Sequence, residues 1–188
     1  MRAPDFLTHL RTDDRGRPVP YINRWGPERV EHLSIRHDPL VGMPGIFLDD
    51  AGETEPDFFH QNMGRQRECM ARGLCQVCGR PVPWSQRHLV LSSMSVDSID
   101  LHGQAATVVT EPWLDARCAA FALRVCPGLI RRSSAQDLQL LRIGYQSRVA
   151  LVVSRGWVDG PLEQRSKREQ PAMWVKAMVV GVQIAEPA

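Results

Sequence analysis

No run of this chain approaches the roughly twenty apolar residues that a membrane-spanning helix needs. Partners in a membrane are therefore not expected. The N-terminus, Met1-Arg2-Ala3-Pro4-Asp5, lacks an apolar core of signal-peptide length, so the cytoplasm is the expected location. Walker, dinucleotide-binding and Ser-His-Asp fingerprints are also missing, which removes the common signatures of nucleotide and hydrolase chemistry. Aromatic residues do not alternate with basic ones along the chain, as they do in many single-strand binders. Lysine occurs only at Lys167 and Lys176, and every other member of the 23 basic residues is arginine. A GC-rich coding genome gives that bias unaided, so arginine as such does not argue for phosphate geometry. No internal repeat is present.

What is present is a normal globular composition, with 43% hydrophobic residues in 188. The five cysteines are an odd number in a chain that is not small. A secreted disulfide framework fits that poorly, and a metal or redox site fits better. Net charge is only +2, but its distribution is uneven, with residues 1–68 acidic and residues 131–188 basic. Arg131-Arg132 and Arg165-Ser166-Lys167-Arg168 make the basic third a candidate nucleic-acid face, against the plainer reading of a solvated surface.

The strongest pattern is Leu74-Cys75-Gln76-Val77-Cys78-Gly79, answered later by Asp115-Ala116-Arg117-Cys118. Two residues between cysteines let both sulfurs converge on one ion, and Gly79 lets the backbone fold beneath them. Asp115 and Cys118, three apart on a helix, share a face. Cys75, Cys78, Cys118 and Asp115 are thus the candidate ligands of a tetrahedral zinc ion. A thioredoxin-type pair would open a helix after a strand, whereas this one follows a helix. Asp115 is the weakest of the four, because an N-terminal helix carboxylate has a reason of its own. His102, Cys126 and Cys69 are the alternatives for the fourth position, and His88 also lies near in the sequence.

The periodicity predicts a helix from Asp57 to Arg72, capped by Asp57 and stopped by Gly73. Short strands are expected at Tyr21–Trp25 and Leu33–Ile35, and a long loop from Pro39 to Asp57 around Ile46-Phe47-Leu48. Residues 87–92 and 105–110 read as a hairpin with a long loop. A helix from Trp113 to about Val125 follows, then a short helix over Gln136–Ile143, and strands at Ala150–Ser154 and Trp174–Ile184. The fold class is α+β. It is expected to be one zinc-stabilised domain over 1–188, with an irregular segment at 1–56, a zinc-binding unit at 57–130 and a strand-rich part at 131–188. Knuckle, hairpin and ligand-bearing helix in that order suggest a treble-clef-like unit.

With these pieces, the chain resembles a family of small uncharacterised proteins of bacteriophages, prophages and actinobacterial genomes. The shared pieces are Gly16-Arg17-Pro18-Val19-Pro20, the Cys75–Gly79 knuckle, Glu111-Pro112, and Cys118-Ala119-Ala120-Phe121-Ala122 running to Cys126-Pro127. The family position of Asp115 is usually histidine, so the resemblance implies a Cys-Cys-His-Cys site. Here it carries over Cys75, Cys78 and Cys118. It supplies no activity.

Two functional classes follow. The first is a zinc-stabilised accessory protein binding nucleic acid or another protein, for which Trp157 is a candidate interface anchor. The second is a metal-dependent enzyme using an open or weakly held coordination position, with His88, His102 and Asp100 as acid–base candidates.

Overall fold

The computed structural model describes residues 3–26, 33–48, 55–92, 97–101, 104–109, 111–134, 138–155 and 173–187. It is a mixed α and β protein. Two compact units emerge, Met1–Glu68 with Leu151–Met178, and Cys69–Ala150 with Val179–Ala188.

In the first unit, β1 (Asn23–Trp25) pairs antiparallel with β4 (Pro56–Gln61) across a bulge between Asn23 and Arg24. β2 (Leu33–Asp38) and β3 (Met43–Leu48) form a regular antiparallel hairpin. Leu33, Ile46 and Leu48 are its buried apolar side chains, with Ile35 and Met63 packed against them. The loop expected from Pro39 to Asp57 therefore gives up residues 43–48 to a strand. β3 also meets the start of β9 (Met173–Pro187) in parallel, at Gly45 opposite Val175.

Helix α1 spans Met63–Arg72, six residues shorter at its start than the sequence suggested. Two local facts account for the difference. Phe58 and Phe59 favour extended backbone. Asp57 is committed elsewhere, accepting from Arg24 Nη2 at 2.8 Å and from the Phe59 N–H at 3.0 Å. Asn62 caps instead, its side-chain oxygen accepting from the Arg65 N–H at 3.1 Å. From α1, Arg67 enters the interior. Its Nε lies 2.7 Å from Asp38 Oδ2, and its Nη2 donates to the Ile46 carbonyl at 2.7 Å. A methyl group on Gly45 would come within 2.9 Å of that guanidinium, so the missing side chain gives Arg67 its space.

In the second unit, β5 (His88–Ser92) pairs with the first part of β8 (Leu138–Arg155), from His88 opposite Arg142 to Ser92 opposite Leu138. The helix expected over Gln136–Ile143 is thus a strand from Leu138 onward. A ladder with β5 outweighs the helical preference of Leu and Gln, because tertiary pairing overrides local propensity. The expected pairing of residues 87–92 with 105–110 is also replaced. β7 (Gln104–Val109) folds back on β6 (Asp97–Leu101), which lies in what was read as a loop. The other side of β7 pairs with β9, Val109 opposite Val180. Two helices complete the unit, α2 (Ala116–Val125) and α3 (Pro127–Ser134), joined at Cys126.

Candidate metal centre

Gly73 ends α1 with φ +67°, and the next amide, Leu74 N–H, donates back to the Cys69 carbonyl at 2.9 Å. The chain then makes a tight knuckle. Cys75 N–H donates to the Arg80 carbonyl and Gly79 N–H to the Cys75 carbonyl, both at 2.8 Å. Gly79 has φ +68°, the left-handed conformation that glycine adopts without penalty. Val82 N–H closes the base onto the Gly73 carbonyl at 2.9 Å.

Gly73 carries a second constraint. A methyl group there would overlap the guanidinium of Arg87. Gly73→Ala is expected to cost about 1–2 kcal/mol from backbone conformation alone. Displacement of Arg87 adds to that, and the shift of the urea unfolding midpoint measures the total.

The second half of the centre is the start of α2. Asp115 is its N-cap, with Oδ1 accepting from the Arg117 N–H at 2.9 Å. Cys118 is three residues further, in the first turn. Backbone bonds fix this segment against the knuckle. Gln76, between the two cysteines, donates its N–H to the Trp113 carbonyl at 2.9 Å and its Nε2 to the Pro112 carbonyl at 2.8 Å. Leu114 and His88 exchange both amide bonds, at 2.9 and 3.1 Å. Segments distant in the chain are thereby held side by side.

The result is a cluster. The sulfurs of Cys75, Cys78 and Cys118 all lie within 4.8 Å of one another, and the residues are 0%, 7% and 1% exposed. Such a group can hold a metal ion. The donor set fits one. Metal–sulfur bonds of about 2.3 Å in a tetrahedron place sulfurs about 3.8 Å apart, within the separation found here. Backbone donors reach two of the sulfurs. Asp115 N–H points at Cys75 Sγ at 3.5 Å, and Cys78 N–H donates to the same sulfur. Arg80 N–H donates to Cys78 Sγ, and its guanidinium charge acts on it. Such amide donors disperse thiolate charge, and the α2 N-terminus adds its dipole.

Proton sharing among the three sulfurs follows from this geometry. Hydrogen bonds from Cys118 and then Cys75, aided by Arg80, outweigh burial and hold Cys78 well below the thiol range. Cys118, bonded to Cys75 and Cys78 and buried, is pushed far up. For Cys75 the bond with Cys118 lowers the value, but the bond with Cys78 and burial raise it more.

Among the described residues, the other candidates are not members of this group. Asp115 contributes its amide to Cys75, while its carboxylate serves the cap and the Arg117 side chain at 3.3 Å. Cys69 is fully buried on α1. Cys126 links α2 and α3, its carbonyl accepting from the Ile130 N–H at 2.9 Å. His88 Nδ1 lies 2.8 Å from the Gln86 carbonyl. Asp100 sits on β6 opposite Ala105. His102, Trp157 and the Arg165–Arg168 run lie outside the described residues.

Sequence reading missed Gln76 and Arg87. Gln76 carried a faint signal, a two-headed amide between the two cysteines, able to bond both ways. Arg87 carried none. Its place is set by rings at Trp84 and Trp113, with its Cζ 4.7 and 5.3 Å from their centroids. No family model, curated protein or solved structure matches the chain.

Proposed function

We propose that this chain is a zinc-binding protein whose metal site is structural, and that it serves as an accessory protein binding nucleic acid or another protein. The observation that carries the reading is the convergence of Cys75, Cys78 and Cys118 from two distant segments. Three soft sulfur donors select zinc over the hard divalent ions. When bound, the ion ties the 74–82 knuckle to the first turn of α2. Asp115 is the proposed fourth ligand, reached by turning its carboxylate from the cap, and the resemblance to phage-encoded proteins supports a ligand at that position. The order of knuckle, β6–β7 hairpin and ligand-bearing helix supports a treble-clef-like unit.

The enzyme reading draws on one observation. Three sulfurs leave a tetrahedral ion one position to fill, and the Asp115 carboxylate is engaged with Arg117. Burial of all three cysteines weighs against it, since a substrate would need a path to the ion.

The test is elemental mass spectrometry of protein purified without added metal. One zinc per chain, retained through dialysis and lost only to a strong chelator with a fall in melting temperature, is the expected result. Metal-free protein that melts unchanged after zinc addition contradicts the proposal. Asp115→Ala divides the two readings. A structural ligand gives metal loss or unfolding, and a catalytic one gives a folded, zinc-bound protein.

A further inference from the structure

The alternation of aromatic and basic side chains that the sequence lacks is supplied in space beside the knuckle. Trp84 opens a short 3-10 turn, Trp84–Gln86, in the exposed loop leaving Val82. Its indole meets that of Trp113 edge to face, with centroids 6.4 Å apart. Trp113 is fully buried and acts as the anchor, whereas Trp84 is 37% exposed. The Arg87 guanidinium lies over both rings. Its Nε donates to the Val82 carbonyl at 3.2 Å, and no carboxylate pairs with it among the described residues. Burial strips water from this guanidinium without giving it a counter-charge, and an incoming anion would supply one.

The local charge is positive on balance, with Arg117 paired to Asp115 at 3.3 Å. Between residues 69 and 92 the formal charges are Arg72, Arg80 and Arg87, with no acid. Residues 111–134 add four arginines against Glu111 and Asp115. A zinc ion with three thiolates contributes one negative charge and leaves the balance positive. Asp97 and Asp100 of the same unit belong to the separate β6 strand. In contrast, residues 3–26, 33–48 and 55–68 carry equal numbers of arginines and acids. On α2, Arg117 and Arg124 are exposed two turns apart, with exposed Ala120 between them. A methyl side chain at that point lets a polymer backbone come close to the helix.

We propose that the Arg80–Arg87 loop and the Arg117–Arg124 face of α2 bind single-stranded nucleic acid, Trp84 with Arg87 taking a base by stacking and the other arginines meeting phosphates. The proposal rests on the nucleic-acid half of the function proposed above and gives it a surface. Stacking on an exposed ring requires an unpaired base face, which a duplex hides. A protein interface also favours Trp and Arg, but the positive balance around the ring fits a polyanion better.

Zinc-loaded full-length protein is titrated with fluorescent oligo(dT), oligo(U) and a duplex of equal length, at several salt concentrations. Single strands are expected to bind in a salt-sensitive way, and more tightly than the duplex. Trp84→Ala weakens binding roughly 5- to 150-fold. Trp84→Phe restores most of it, and Arg124→Gln lowers the salt slope by about 0.7. Zinc content and melting temperature are recorded for each variant, so a folding defect is seen directly. Where Trp84→Ala does not fold, Trp84→Phe and Arg124→Gln carry the test. A preference between oligo(dT) and oligo(U) identifies DNA or RNA and supports the proposal either way. Zinc-bound protein that ignores single strands overturns this proposal and leaves the metal reading standing. So does duplex binding as tight as single-strand binding, or a folded Trp84→Ala with unchanged affinity. A protein partner that needs Trp84, without nucleic-acid binding, also overturns it. Absence of zinc from the purified protein strikes the metal reading alone.

Discussion

Cys118→Ser is expected to release the metal and to lower the unfolding free energy by more than about 3 kcal/mol. Cys75→Ser should do the same. Both sulfurs are buried, and they join segments that come together at the base of α2. Binding free energy at a structural zinc site is largely folding free energy, about 10–16 kcal/mol in small finger peptides. A buried serine has its own cost, about 1–3 kcal/mol for an unsatisfied hydroxyl, so a control is needed. Cys69→Ser provides it. Cys69 is as buried as Cys75 but stands outside the sulfur cluster. It should lose stability and keep its zinc. Metal content by mass spectrometry, read beside urea unfolding, separates ligation from packing. If Cys69→Ser and Cys118→Ser lose metal equally, the assignment of ligands is wrong.

The second large effect lies in the first unit, at the Arg67–Asp38 pair. Asp38→Ala should cost about 3–5 kcal/mol, because it strands a buried guanidinium. Arg67 is 0% exposed and Asp38 1%. The guanidinium also donates to the Ile46 carbonyl, which carries no charge. Arg67→Met in the wild-type background leaves Asp38 alone, with its Oδ1 still accepting from the Leu40 N–H at 2.9 Å. Joining the two substitutions should recover part of the loss. A buried pair is costly to break but often cheap to replace by apolar groups. Denaturant unfolding of the two single variants and the double variant gives the coupling directly. Strictly additive losses would mean that the pair does not act as a unit.

The parts of the structure that could be read from sequence are those with local causes. The Cys75–Gly79 knuckle, the Gly73 stop and the helix bearing Cys118 depend on spacing, on left-handed glycine and on a cap within a few residues. Reading failed where a distant partner decided. Residues 138–143 carry enough leucine for either structure, and their ladder with β5 is invisible in a local window. Asp57 looked like a helix cap until Arg24, far earlier in the chain, took its carboxylate. Asn62 then had the better claim. The same limit applies at the candidate site. Cys75, Cys78 and Cys118 were legible because metal geometry imposes a pattern on the chain. The stack of Arg87 over Trp84 and Trp113 imposes none, since nothing in the spacing requires three such residues to meet.

Asp115 shows how two readings of one residue can both rest on sound chemistry. Its place at the helix start satisfies an orphan amide and suits the dipole. Its own N–H points at Cys75 Sγ, so it contributes to the sulfur environment whatever its carboxylate does. An Asp115→Asn variant would keep the cap and weaken any metal–oxygen bond.

The most direct measurement is X-ray absorption at the zinc edge on protein purified without added metal. Three sulfur scatterers at about 2.3 Å with one light atom at about 2.0–2.2 Å are predicted. A shell of nitrogen and oxygen alone, with no sulfur, would contradict the account.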